Sequence, residues 1–184
     1  MAKHVLKYLK CTADNGLVFK KSDCSLNLFG YCDSDWGGSE DRHSISGYGF
    51  QLCKNGPLIS WKSRKQQIIA SSTCEAEYVA ITMAVQEAKF LNQLPIDMYD
   101  CTQVSVILKV DNQGAIALAK NPVHHQRSKH IDIKYHFIRL EVQNGTIDLQ
   151  YVPSEFNVAD MFTKPLSKVK LRNFTLSGGV EHVM

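Results

Sequence analysis

The sequence predicts an α/β domain with a mixed sheet of five strands flanked by helices, and three observations carry the prediction. Strand-type and helix-type patterns succeed one another as three strands, a helix, a strand, a helix, a strand and a helix, an order that belongs to α/β chains. Asn55-Gly56-Pro57 is a turn signal between Ser46 to Leu52 and Leu58 to Lys62, which makes those two runs a hairpin. Val104 to Val110 is a nearly continuous apolar run that stops at Asp111, the pattern of an interior strand. At 184 residues and 44% hydrophobic content, the chain is long enough for one main domain with a substantial core and short for two.

Taken in order, Ala2 to Leu9 sets Val5, Leu6 and Leu9 between lysines and reads as a short amphipathic helix, closed by the turn residues Thr12 to Gly16. Leu17 to Phe19 reads as a short strand. Leu26 to Asp33 alternates and reads as a full strand ending at an acidic pair. Gly37 to Arg42 is a loop before the hairpin. Behind the capping residues Ser71-Ser72-Thr73, Tyr78, Ile81, Ala84, Val85, Ala88 and Leu91 recur at helical spacing from Cys74 towards Leu94. Pro95 opens a connection to the interior strand. Asn112 to Lys120 and His130 to Gln143 read as helices, the first broken by Asn121-Pro122 and the second closed by Asn144-Gly145. Thr146 to Val152 is the last strand, ended by Pro153, and a helix from about Val158 is expected to carry Asp160.

Composition excludes several classes. The six cysteines, Cys11, Cys24, Cys32, Cys53, Cys74 and Cys101, are dispersed, form no CxxC pair and accompany no secretory signal, which argues against a disulfide framework or a zinc site and for a reducing, intracellular compartment. No apolar run approaches the ~18–20 residues needed to cross a bilayer, so no membrane partner is expected. The histidines at 124, 125, 130 and 136 lack cysteine partners at zinc-finger spacing. Trp36 and Trp61 read as packing residues, with Trp36 close enough to the acidic pair to line a cleft. A net charge of +3 says little, but its distribution says more: basic residues gather at Lys3, Lys7 and Lys10, at Lys62 to Lys65, at Arg127 to Lys129 and at Lys168 to Arg172.

Against these stand four short acidic signatures: Cys32-Asp33-Ser34-Asp35-Trp36, Ser72-Thr73-Cys74-Glu75-Ala76-Glu77-Tyr78, Val110-Asp111-Asn112-Gln113 and Asn157-Val158-Ala159-Asp160. Each adjoins a regular element, and adjacent strand ends lie ~5 Å apart, so all four can meet at one edge of the sheet. Hard oxygen ligands in that number suit Mg²⁺, and an acidic centre rimmed by basic segments suits a phosphate polymer held over metal ions. The plainer reading takes each acid alone, as turn residue, helix first-turn carboxylate, helix cap or surface group.

The ordered motifs Gly30-Tyr31-Cys32-Asp33-Ser34-Asp35-Trp36, Ser46-Gly47-Tyr48, Ile59 to Gln66, Ser72 to Tyr78, Asp111-Asn112-Gln113, Lys129-His130-Ile131-Asp132 with Tyr135 to Arg139, and Ala159 to Leu166 closely resemble the ribonuclease H domain of copia-type LTR retrotransposon Pol polyproteins. The resemblance implies a ribonuclease H-like domain over residues 26–166, preceded by a remnant of the reverse transcriptase connection at 1–25 and followed by a C-terminal tail at 167–184. It implies endonucleolytic hydrolysis of the RNA strand of an RNA/DNA hybrid with two Mg²⁺ ions, or Mn²⁺ in their place. Its four catalytic, metal-holding acids fall on Asp33, Glu77, Asp111 and Asp160, with Asp35 and Glu75 as secondary candidates. Glu77 is preferred to Glu75 because the family's glutamate stands three residues before a small helix residue, here Ala80, and Asp33 is preferred to Asp35 because it lies nearer the strand end. The implied partners are the hybrid and the reverse transcriptase domain of the same polyprotein, in the cytoplasm, in virus-like particles or in the nucleus.

Lys62, Arg64, Lys65, Gln66, Arg127 and Lys129 are the candidates for nucleic-acid contacts. One departure stands out: many ribonucleases H have a histidine in the loop before the fourth acid, and Val152 to Asn157 has none, leaving Glu155 as a partial substitute. Two further readings stay open, a catalytically silent remnant that binds nucleic acid or a polymerase, and a nuclease of the same fold acting on DNA.

Overall fold

The computed structural model describes residues 2–21, 27–99, 105–120 and 129–183, with the backbone alone for 95, 98, 99 and 129–132. Five strands form the main sheet in the order β4-β3-β2-β5-β6: β2 (Phe29–Asp35), β3 (Ile45–Gln51), β4 (Leu58–Lys65), β5 (Val106–Val110) and β6 (Ile147–Tyr151). The first three are antiparallel neighbours, whereas β2 with β5 and β5 with β6 run parallel, so the sheet is mixed as expected.

Helix α2 (Thr73–Tyr99) crosses the sheet between β4 and β5. Tyr78, Ile81, Ala84, Val85 and Ala88 of α2 are buried in one cluster with Cys32, Tyr48, Phe50, Leu108 and Val110 from the strands, the helical stripe meeting every second strand residue. Helices α3 (Gln113–Lys120) and α4 (Lys129–Gln143) continue the layer, with α4 tied to α2 by the Lys89–Glu141 ion pair and by Tyr78 against Tyr135, ring centroids 4.0 Å apart. Tyr48 and Ser60 both donate to the Glu87 carboxylate, 2.9 and 2.6 Å away, and so lock the hairpin to α2.

The sequence expectations need four corrections. Helix α2 runs through Pro95 to Tyr99 instead of stopping near Leu94; a proline removes one backbone donor, but in a helix this long, packing of the apolar stripe outweighs that loss. The first strand, β1, is Asn15–Leu17, starting two residues earlier than expected, within the turn residues, because it forms only by pairing with a distant strand, β7 (Val180–His182), whose register sets Gly16 opposite Glu181. The segment from 167 on is regular structure, helix α5 (Lys168–Ser177) and then β7. In place of a helix carrying Asp160 there are two 3-10 turns, Ser154–Phe156 and Val158–Phe162. Pro165 limits how far the second can extend, because the residue before a proline avoids helical geometry.

Helix α1 (Ala2–Cys11) buries none of its residues and leaves Val5, Leu6, Tyr8 and Leu9 exposed.

Candidate active site

Strand register creates the first pair of acids. Because Tyr31 lies opposite Lys109 in the parallel β2–β5 ladder, Asp33 and Asp111, each two residues further on, emerge side by side just beyond the end of that ladder. Asp33 is buried, and Asp111 is half-buried just past β5. Helix α3 is capped by Asn112, whose Oδ1 accepts from the Ala115 N–H at 2.9 Å, so Asp111 is not engaged as a cap. Its Oδ2 accepts from the Ser154 hydroxyl at 2.7 Å.

Asp160 reaches the same place from the second 3-10 turn. Asn157, fully buried, accepts from the Ala159 N–H at 3.2 Å and donates to the Cys32 carbonyl at 2.9 Å, clamping that turn onto β2 one residue before Asp33. The turn rests on β3 at Gly47, the cross-strand partner of Asp33; a Cβ there would stand 2.8 Å from both Phe162 Cβ and Thr163 Cγ2. Carboxylate oxygens of Asp33, Asp111 and Asp160 consequently lie within 4.8 Å of one another.

The two glutamates of α2 have different fates. Glu75 turns back to the helix start, where it accepts from the Ser71 N–H at 2.8 Å and from the Ser71 hydroxyl, while its own N–H donates to Ser72 Oγ at 3.2 Å; it belongs to the helix cap. Glu77 points at the end of β2, where Oε1 accepts from the Ser34 N–H at 3.2 Å and Oε2 is buried without a hydrogen-bond partner. Asp35 lies beside Gly38, in the space a Cβ of residue 38 would take, and does not enter the three-aspartate group.

Electrostatics mark this cluster as under-compensated. Burial pushes Asp33 up to about 6, against the opposing Thr163 hydroxyl and Lys164, and the nearby Asp160 and Asp111 push the same way as burial. Glu77 is held well above the usual carboxylate range by burial and then by Asp33 and Asp111. The Cys32 thiol behind them is raised by burial and by Glu77, Asp33 and Asp111. Lys164 lies 3.0 Å from Asp160 Oδ1 and 3.5 Å from Asp33 Oδ2, and although burial disfavours its charge, the three aspartates together raise its pKa. Thr163 donates to Asp33, and Lys170 of α5 lies 2.6 Å from Asp160 Oδ2.

Thr163, Lys164, Ser154 and Lys170 were not singled out from the sequence. Thr163 and Lys164 fall within a quoted motif, Ser154 within the loop noted for lacking histidine, and Lys170 within the basic run from Lys168 to Arg172, where nothing ties it to Asp160 ten residues before.

Of the proposed nucleic-acid contacts, Lys62, Arg64 and Lys65 are exposed on β4, at the sheet end that holds the acids. Lys65 is paired with Asp41. Gln66 is buried, donating to Ser46 Oγ at 2.8 Å and the Ala76 carbonyl at 3.0 Å. Arg127, His124 and His125 lie outside the described residues, as do the side chains of Lys129 and His130. Trp36 is half exposed and donates to the Ala70 carbonyl at 2.9 Å, Trp61 is exposed on β4, and Glu155 is exposed on the first 3-10 turn.

The sheet order and the acids at its edge define a class, the ribonuclease H-like fold, and comparison with solved structures bears this out. LC11-RNase H1, isolated from compost, superposes with a TM-score of 0.56 at 17% identity, covering 76% of this chain and 94% of that one. The foamy viral protease-reverse transcriptase in complex with an RNA/DNA hybrid gives 0.54 at 15% identity, covering 80% of this chain and 21% of that one. By sequence, the chain is homologous to a segment of copia-type retrotransposon Pol polyproteins. It is 38% identical over 178 residues to the retrovirus-related Pol polyprotein of transposon RE2 of Arabidopsis thaliana, and 38% identical over 173 residues to that of transposon TNT 1-94 of Nicotiana tabacum. These alignments cover 97% and 91% of the chain but only 12% of either relative's length. No family model matches the chain. Among the described residues, no helix is long and apolar enough to cross a membrane.

Proposed function

We propose that the chain is a ribonuclease H that hydrolyses the RNA strand of RNA/DNA hybrids, as the part of a retrotransposon Pol polyprotein that degrades RNA during reverse transcription. The observation that carries this is the meeting of Asp33, Asp111 and Asp160, from three separate elements, within 4.8 Å. Glu77, with its unpartnered buried Oε2, supplies the fourth carboxylate. The donor set is oxygen only, and its carboxylates repel one another, so it fits a hard divalent cation and not a thiolate-seeking metal.

Asp33, Asp111, Asp160 and Glu77 would hold Mg²⁺, two ions by analogy with other nucleases of this kind, with Mn²⁺ as substitute. Such ions supply an activated water and charge stabilisation at the phosphate. The protein's own share is placement. Register fixes Asp33 against Asp111, the Asn157 clamp fixes Asp160, the helix cap leaves Glu77 free to turn inward, and the Ser154 hydroxyl orients Asp111. Lys164 compensates the buried charge of Asp33 and Asp160. Exposed Lys62 and Arg64, at the same end of the sheet, would take strand phosphates, and the partners would be the hybrid and the reverse transcriptase domain of the polyprotein.

The test is cleavage of a labelled RNA/DNA hybrid in Mg²⁺ beside matched RNA and DNA duplexes, with Asp111→Asn as control. RNA-strand cleavage confined to the hybrid and lost in the variant is expected; a folded protein that leaves all three intact, or cuts the DNA duplex, would overturn the reading.

A further inference from the structure

Asp160 is fully buried, and each of its carboxylate oxygens meets a different lysine. Lys164 lies 3.0 Å from Oδ1 and is shared with Asp33, and Oδ1 is buried without a hydrogen-bond partner, which leaves it as the oxygen available to the three-aspartate group. Oδ2 accepts from Lys170 Nζ at 2.6 Å, and Lys170 belongs to α5, in the segment that the sequence motifs leave out as a tail.

Helix α5 is fixed at both ends. Ser167 caps it, accepting from the Lys170 N–H at 3.3 Å. At its far end, Gln51 Nε2 donates to the Ser177 carbonyl at 2.7 Å and the Leu58 N–H donates to the Gly178 carbonyl at 2.9 Å, binding the helix to β3 and β4. The Lys170 ammonium also lies 5.2 Å from the ring centroid of buried Phe174 one turn on, which holds the lysine stem along the helix.

We propose that Lys170 is a positioning residue for Asp160: by holding Oδ2 through a charge-assisted hydrogen bond, it keeps Oδ1 directed at Asp33 and Asp111. This rests on the metal-dependent reading of the site. An exposed ion pair of this length would be worth little, but here one partner is wholly buried, and groups that orient a metal ligand are typically worth about 10–100-fold in metal affinity or activity. A cation beside a ligand also repels the metal, so the direction of the change separates orientation from mere competition.

The experiment compares the whole chain with Lys170→Met and Lys170→Arg, measuring Mn²⁺ affinity by electron paramagnetic resonance well below each protein's melting temperature, together with kcat and KM on the hybrid. Lys170→Met is expected to stay folded by circular dichroism, to bind Mn²⁺ at least about tenfold more weakly and to lose kcat with little change in KM, and Lys170→Arg is expected to recover most of both. Should Lys170→Met fail to fold, Lys170→Gln, which keeps a donor without the charge, carries the same comparison. Unchanged or tighter Mn²⁺ binding in the folded variant overturns the inference and leaves the metal site standing, whereas a wild-type chain that binds no Mn²⁺ overturns both.

Discussion

Glu75 and Glu77 show at the scale of single residues how much two positions on one helix can differ. Glu75 faces the start of α2, where its Oε2 accepts from both the N–H and the hydroxyl of Ser71, while Glu77 faces β2 and keeps one buried oxygen unpartnered. Glu77→Gln should therefore abolish metal-dependent cleavage and raise thermal stability in chelator, whereas Glu75→Gln should cost about 1 kcal/mol of stability and retain activity; urea melts and hybrid cleavage of both variants check this. The same crowding sets a pH dependence. An acid whose folded pKa lies above its unfolded value binds more protons folded than unfolded between the two, so stability falls as pH rises through that window. For Asp33 the window runs from 3.8 to about 6, and Glu77 extends it upward. In chelator the melting temperature should drop as pH rises from 3.8 to about 6 and keep falling above it as Glu77 loses its proton, and Mg²⁺ should restore more of it at the upper end, where the acids have lost their protons. A Mg²⁺ effect that is equal across the range would count against these acids as its ligands.

At the scale of elements, the site depends on how closely the second 3-10 turn approaches the sheet. Gly47 faces Phe162 and Thr163 where any side chain would collide with them. Gly47→Ala should cost about 1–3 kcal/mol, and by lifting the turn it should weaken Mn²⁺ binding as well, which calorimetry on the folded variant measures. Asn157→Ala removes both the cap and the bond to the Cys32 carbonyl, leaving buried groups unsatisfied; a loss of about 1–3 kcal/mol in urea unfolding is expected. The hairpin, the α2 stripe and the interior strand were legible in the sequence because their signals are local and periodic. The turns around Asp160 were not, because their geometry is set by Asn157 reaching a strand 125 residues away. The acids themselves were legible as an ordered set, yet the bonds of Lys170 to Asp160 and of Ser154 to Asp111 were not, since neither residue type nor spacing announces a hydrogen bond formed only after folding.

At the scale of the whole molecule, charge is arranged more tellingly than it is summed. Acids occupy the ends of β2 and β5, and exposed Lys62 and Arg64 occupy the neighbouring end of β4. Hybrid binding should weaken steeply with salt, and Lys62→Ala with Arg64→Ala should flatten the slope of log affinity against log salt by about 1–2 while leaving Mn²⁺ affinity unchanged; filter binding at several ionic strengths decides it.

The small β1–β7 sheet places residues 15–17 alongside 180–182, with Asn15 opposite His182. The chain thus enters β1 and leaves β7 at the same end of this ladder, so that pulling on its two flanks would peel the ladder like a zip before loading the acid-bearing end of the main sheet. Tension along the chain would be felt first at this small ladder, and the acids of the main sheet would keep their register while it opened.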